Sequence, residues 1–163
     1  MFAQDQIQEI VDLLSSVDSN TKIYLGCDSV RFISNNQKKA RYATVAIIHI
    51  NGNNGCRVFS NISVEPDFDV KQSRPSIRLL NEVSKVCELY IQLIPFIDEF
   101  EVEIHLDINL NPKYGSNCVA QQAAGYVLGM TGIFPKMKPF SWASSQCADH
   151  VVHGGLEIPD QLK

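Results

Sequence analysis

Apolar residues at Ile7, Ile10, Val11, Leu14 and Val17 recur at helical spacing and predict a first helix over 5–17. Asp18, Ser19 and Asn20 end it with turn-forming side chains. The pattern then changes to alternation. In KIYLGCDSV, 22–30, Ile23, Leu25 and Cys27 face one way and Tyr24, Gly26 and Asp28 the other, as in a strand. Polar residues 35–38 make a turn, and RYATVAIIHI, 41–50, is a second strand, apolar on both sides in its middle. NGNNG, 51–55, is the strongest hairpin signal in the chain, and CRVFSNISVE, 56–65, is the third strand. A polar connection over 66–74 holds Pro66 and two aspartates. Pro75 suits the first turn of a helix, and Ile77, Leu80, Val83, Cys87, Ile91 and Ile94 keep helical spacing until Pro95. FEVEIHLDIN, 100–109, alternates again, with Val102, Ile104 and Leu106 opposite Glu103, His105 and Asp107. A loop over 111–117, an Ala-rich helix over 118–130 and a Pro-limited edge strand in 134–140 follow. A last helix runs from Ser141 or Ser144, either of which can cap it, to His153. Gly154 and Gly155 end that helix, leaving 155–163 as a loose tail.

A strand meander followed by alternating helix and strand predicts an α/β domain: a mixed five-stranded sheet flanked by helices. The helix between strands three and four must cross over, which makes strand four a parallel neighbour of strand one and the order 3-2-1-4-5. This is the element order of the ribonuclease H-like fold, extended by an N-terminal helix in 1–20, within a single domain over 1–163. Composition agrees with a globular protein: of 163 residues, 45% are hydrophobic and 20% charged, which excludes disordered and fibrous chains. No apolar run approaches the roughly 20 residues of a membrane helix. The opening MFAQDQIQEI is acidic and amphipathic, so no secretory signal is expected. The five cysteines are odd in number and form no CxxC, which points to reduced thiols and a cytoplasmic setting. A net charge of −4 does not advertise a nucleic-acid binder, but a site built of carboxylates lowers the net charge of its own protein.

The acidic residues carry the candidate chemistry. Asp28 lies near the end of strand one and Asp107 near the end of strand four. If those strands are parallel neighbours, both carboxylates face one point. Glu82 is on the crossover helix and Asp149 on the last one. Clustered carboxylates repel unless a cation sits among them, and hard oxygen ligands select Mg²⁺ or Mn²⁺. Two such ions activate water and stabilise a leaving oxygen in phosphodiester cleavage. Each residue also has an ordinary alternative. Asp28 and Asp107 are acceptable turn formers, Glu82 can pair with Arg78 or Lys85, and Asp149 can pair with His153. The helical wheel places Glu82 and Glu88 on opposite edges of the apolar arc and does not choose between them. Lys136 and Lys138 share one strand face and suit phosphate contacts, as do Arg74, Arg78 and Ser29; lysines also protect edge strands. His105 shares a face with Asp107, and His150 follows Asp149; both are candidates for supporting positions around the site. Asp149, His150 and His153 admit a zinc reading as a minor alternative.

Residues 129–149, GMTGIFPKMKPFSWASSQCAD, resemble the C-terminal signature of the YkuK-like family of ribonuclease H-related proteins. GCDS at 26–29 and HLDIN at 105–109 are similar to two further motifs of that family. RPSIRLLNEVSKVCEL, 74–89, resembles its Arg-rich helix, which favours Glu82 over Glu88. His150, where the family commonly has Lys or Arg, and the longer loop 109–117 depart from the pattern. The resemblance implies a ribonuclease H-like fold and a nuclease using two Mg²⁺ or Mn²⁺ ions, with Asp28, Glu82, Asp107 and Asp149 as ligands. The substrate classes are RNA, an RNA/DNA hybrid or structured DNA. A non-catalytic nucleic-acid-binding module on the same fold is the alternative.

Overall fold

The computed structural model describes residues 1–154; the loose tail expected over 155–163 lies outside the described residues. Helix α1, Gln4–Leu14, is shorter than the periodicity predicts. Ser15 and Ser16 turn their hydroxyls back onto the carbonyls of Val11 and Leu13, which closes the helix before Val17. Strands β1, Lys22–Ser34, and β2, Gln37–His49, are longer than expected. Asn35 and Asn36 adopt left-handed φ of 51° and 60°, a two-residue turn that lets both strands run to its edge. β3, Cys56–Pro66, completes the meander. α2, Ser76–Leu93, crosses over to β4, Glu101–Asn109. A 3-10 turn at Gly115–Val119 leads into α3, Ala120–Thr131, and then the short β5, Lys136–Lys138. Last among the described elements is a π-helical segment, Ala143–Ala148, running straight into α4, Asp149–Val152.

The sheet order is β3-β2-β1-β4-β5, as the sequence predicts. β1 lies antiparallel to β2 and parallel to β4, with Cys27 opposite Leu106 in the last parallel pair. Alternation sorts the two faces. Ile23, Leu25 and Cys27 join Tyr42, Ala46 and Ile48 in the larger core, under α1, α2 and α3. Ala43, Val45 and Ile47 point to the opposite face, where Ala143, Ala148, Val151 and Val152 of the C-terminal helix cover them. No helix among the described residues is long and apolar enough to cross a membrane.

The N-terminus of α2 is held from outside the helix. Asp69 accepts hydrogen bonds from the backbone N–H groups of Ile77 and Arg78, both at 2.9 Å. This satisfies two of the donors that every helix start leaves unpaired and sets a negative charge at the positive end of its dipole. Asp67 accepts the Asp69 N–H at 3.0 Å and is bonded by Arg31 of β1. The expected result for Asp69→Ala is a loss of about 1–2 kcal/mol, the usual range for a lost cap. Denaturant unfolding at constant m-value checks it.

Candidate active site

Four elements bring carboxylates to the place where the parallel pairing of β1 with β4 ends; because β1 runs on to Ser34 beside β2, Asp28 lies in the middle of that strand and not near its end as expected. Asp28 follows the Cys27–Leu106 pair on β1, and Asp107 follows it on β4, so the two aspartates come next on adjacent parallel strands. Asp28 is buried. Burial raises its pKa first, the Asp107 charge raises it further, and Asp149 adds to both, against the opposing Ser29 N–H; the result is about 7.

Glu82 occupies the buried side of α2 with Leu79, Val83, Val86 and Cys87, where an apolar residue is the rule. Glu88 is exposed and takes a hydrogen bond from Ser84 instead. Burial, and then the Asp28 charge, push the Glu82 carboxyl well above the usual range. Two neighbours oppose that push. The Ser29 hydroxyl donates to Glu82 Oε1, and Arg78 Nη1 lies 3.7 Å from the same oxygen. Arg78 also donates to the Ser29 hydroxyl at 2.7 Å and to the Ser29 carbonyl at 2.6 Å. Ser29 and Arg78, expected on substrate, are therefore engaged in holding Glu82.

Asp107 faces Lys138, whose Nζ stands 2.8 Å from Oδ1. The nitrogen is close but off the line of a hydrogen bond, so this buried oxygen has a counter-charge and no hydrogen-bond donor. Lys136 pairs with Glu103 at 2.8 Å. Asp149 opens α4 and is half exposed; His153, one turn on, has Nδ1 3.4 Å from Asp149 Oδ1. That pairing coexists with the influence of Asp149 on Asp28. His150 and Arg74 are exposed.

His105 is fully buried and reaches the site through another element. Its Nδ1 accepts the Ala143 N–H at 3.1 Å, so the neutral ring carries its proton on Nε2, 3.0 Å from Glu103. Burial lowers its pKa despite Glu103, which keeps that tautomer neutral. Trp142 and Tyr24 pack against the ring at centroid distances of 5.7 Å and 5.5 Å. The serines expected to cap this helix do not. Ser144 and Ser145 donate their hydroxyls to the Ser141 carbonyl, and an N–H at the helix start goes to His105. Thus β4 anchors the helix that carries Asp149.

Among the described residues no three His, Cys, Asp or Glu side chains stand close enough to grip an ion as they are, which holds equally for the four carboxylates and for Asp149, His150 and His153. The carboxylate set nonetheless fits a hard divalent cation by its chemistry. Its donors are all oxygens, burial and the neighbouring carboxylates raise the pKa of both Asp28 and Glu82, and Asp107 Oδ1 is buried without a hydrogen bond. A family model described as ribonuclease H-like matches residues 5–153. The chain belongs to the ribonuclease H-like family. Its YkuK-like signature and its strand order agree with that membership. No curated protein and no solved structure matches the chain significantly. Residues outside the recognised motifs also build this ribonuclease H-like site. Arg31, Asp67 and Asp69 fix the end of α2 that bears Arg78 and Glu82, and they gave no signal beyond two aspartates in a polar connection. Gly26 lies inside GCDS, and only the close passage of Ala143 and Ser144 reveals what it does there.

Proposed function

We propose that this protein is a divalent-metal-dependent nuclease that hydrolyses phosphodiester bonds in RNA, an RNA/DNA hybrid or structured DNA. One observation carries the reading: Asp28, buried and beside Asp107, Asp149 and Glu82, has its pKa raised to about 7. Burial first, and the neighbouring carboxylates second, disfavour the charged form of Asp28, and a cation among the carboxylates relieves both. Asp28 and Asp107 are the central ligands of Mg²⁺ or Mn²⁺, because strands hold side chains rigidly. Glu82 and Asp149 complete the set. The bound metal supplies an activated water and charge stabilisation at the leaving oxygen.

The chain's own residues orient the reaction. Ser29 and Arg78 fix the Glu82 carboxylate, and the Asp69 cap fixes Arg78. His105 fixes the start of the helix that presents Asp149. Arg74, exposed beside the start of α2, and Lys136, half exposed, are the groups for phosphate oxygens on either side of the scissile bond. Water adds to phosphorus as the bond to the 3′-oxygen breaks; His150 passes the proton that the water loses to solvent, and the departing oxygen takes one up from solvent to leave as a hydroxyl. The five free cysteines suit work in the cytoplasm.

The test is an activity panel of single- and double-stranded RNA, hybrid, and branched and linear DNA, each with Mn²⁺, Mg²⁺ or EDTA. The expected result is cleavage of at least one substrate with metal and none with EDTA. Binding without cleavage under every metal condition replaces the nuclease with a non-catalytic nucleic-acid-binding module.

A further inference from the structure

We propose that Lys138 supplies the second positive charge of the site, so that the four carboxylates take up one divalent ion and not two. This rests on the metal-dependent reading above and fixes its ion count. Lys138 closes β5, where Asn109 of β4 is its register partner, and its ammonium reaches back to Asp107. Asp107 Oδ1 is buried and accepts no hydrogen bond, so the ammonium 2.8 Å away compensates it by charge alone, as a metal ion does.

Distance makes the ammonium and a second ion rivals. A divalent ion on a carboxylate oxygen sits about 2.1 Å from it. With the ammonium at 2.8 Å from that oxygen, ion and nitrogen are at most about 5 Å apart. Paired ions in two-metal sites stand about 3.5–4 Å apart. The Lys138 ammonium and the second ion of a pair therefore compete for the space beside the same Asp107 oxygen.

Charge gives the same count independently. Asp28, Glu82, Asp107 and Asp149 carry four negative charges when ionised. Arg78 beside Glu82 and Lys138 beside Asp107 return two. One divalent ion balances the remainder, whereas two leave the site with an excess of two positive charges before substrate arrives. Lys136 does not enter the count, since the carboxylate beside it is Glu103, which is not one of the four.

Calorimetric titration of the metal-free full chain with Mn²⁺ measures the ion count. The wild-type protein is expected to bind one Mn²⁺ per chain. Lys138→Met keeps the stem and removes the charge, and it is expected to bind two, with the spin-coupled paramagnetic resonance spectrum of a Mn²⁺ pair. Lys138→Gln is the second variant should the first fail to fold, and Lys136→Met is expected to stay at one. Two ions on the wild-type protein, one ion on the folded Lys138 variants, or no ion on any of them overturns the proposal. The nuclease reading fails separately. One ion on the wild type and two on Lys138→Met, with no substrate cleaved, keeps the role of Lys138 and removes the activity. Cleavage by a wild-type protein holding two ions does the reverse.

Discussion

Asp28→Asn is expected to reduce Mn²⁺-dependent cleavage by at least about a hundredfold, the scale on which one transition-state-stabilising group is felt. The substitution preserves shape and removes the charge that sits beside Asp107, Asp149 and Glu82. Cleavage rate and Mn²⁺ affinity should fall together, because the lost group is a ligand. A purified variant that cleaves as fast as the wild type assigns the activity elsewhere.

The same variant should respond differently to pH. The folded-state pKa of Asp28, about 7, lies above its ordinary value of 3.8. The metal-free folded protein therefore holds this proton more tightly than the unfolded chain does. Its contribution to stability is complete below about pH 4 and is lost as pH rises through about 7. Each tenfold difference in proton affinity between the folded and unfolded chain is worth about 1.4 kcal/mol. In EDTA, Asp28→Asn should flatten that slope and melt higher than the wild type above pH 7. Saturating Mn²⁺ should restore the wild type, since the ion favours the charged carboxylate. Thermal melts across this range, with and without metal, measure both effects. Parallel pH profiles for the two proteins would show that Asp28 is not the group under strain.

Local pattern carried the sequence reading as far as each element's own face. Alternation placed Asp28 on one side of β1 and Asp107 on the matching side of β4, and the need for a crossover made those strands parallel neighbours. It stopped where identity depends on a partner remote in sequence. Glu82 and Glu88 are equivalent on an isolated helix, and only the seating of α2 over the strand ends buries one and exposes the other. Asp67 and Asp69 look like loop residues until Arg31 and the start of α2 meet them. Lys136 and Lys138 read as phosphate ligands because their partners, Glu103 and Asp107, are fixed by the register of a three-residue strand. The π-helical segment has no sequence signature of its own; its single extra residue per turn shows only in the hydrogen bonds.

Gly26→Ala is expected to cost about 1–3 kcal/mol, the range for forcing a methyl group into a filled space, and to weaken Mn²⁺ binding as well. A Cβ at Gly26 would lie 2.8 Å from the Ala143 carbonyl carbon, 2.8 Å from the Ser144 nitrogen and 3.0 Å from the Ala143 oxygen. All three are backbone atoms, so no rotamer change relieves the contact. The C-terminal helix must move away from β1, straining the Ala143 N–H bond to His105 and withdrawing Asp149 from Asp28. Stability and metal affinity are thereby linked through one displacement. Gly125→Ala separates this from any general effect of replacing glycine. Gly125 lies inside α3 with open space around its Cβ position, and alanine there should stabilise by up to about 1 kcal/mol through helix propensity. Paired thermal melts and Mn²⁺ titrations decide the matter. A Gly26→Ala protein as stable as the wild type, or one that loses stability yet binds Mn²⁺ unchanged, would show that the close approach of β1 to the C-terminal helix does not position Asp149.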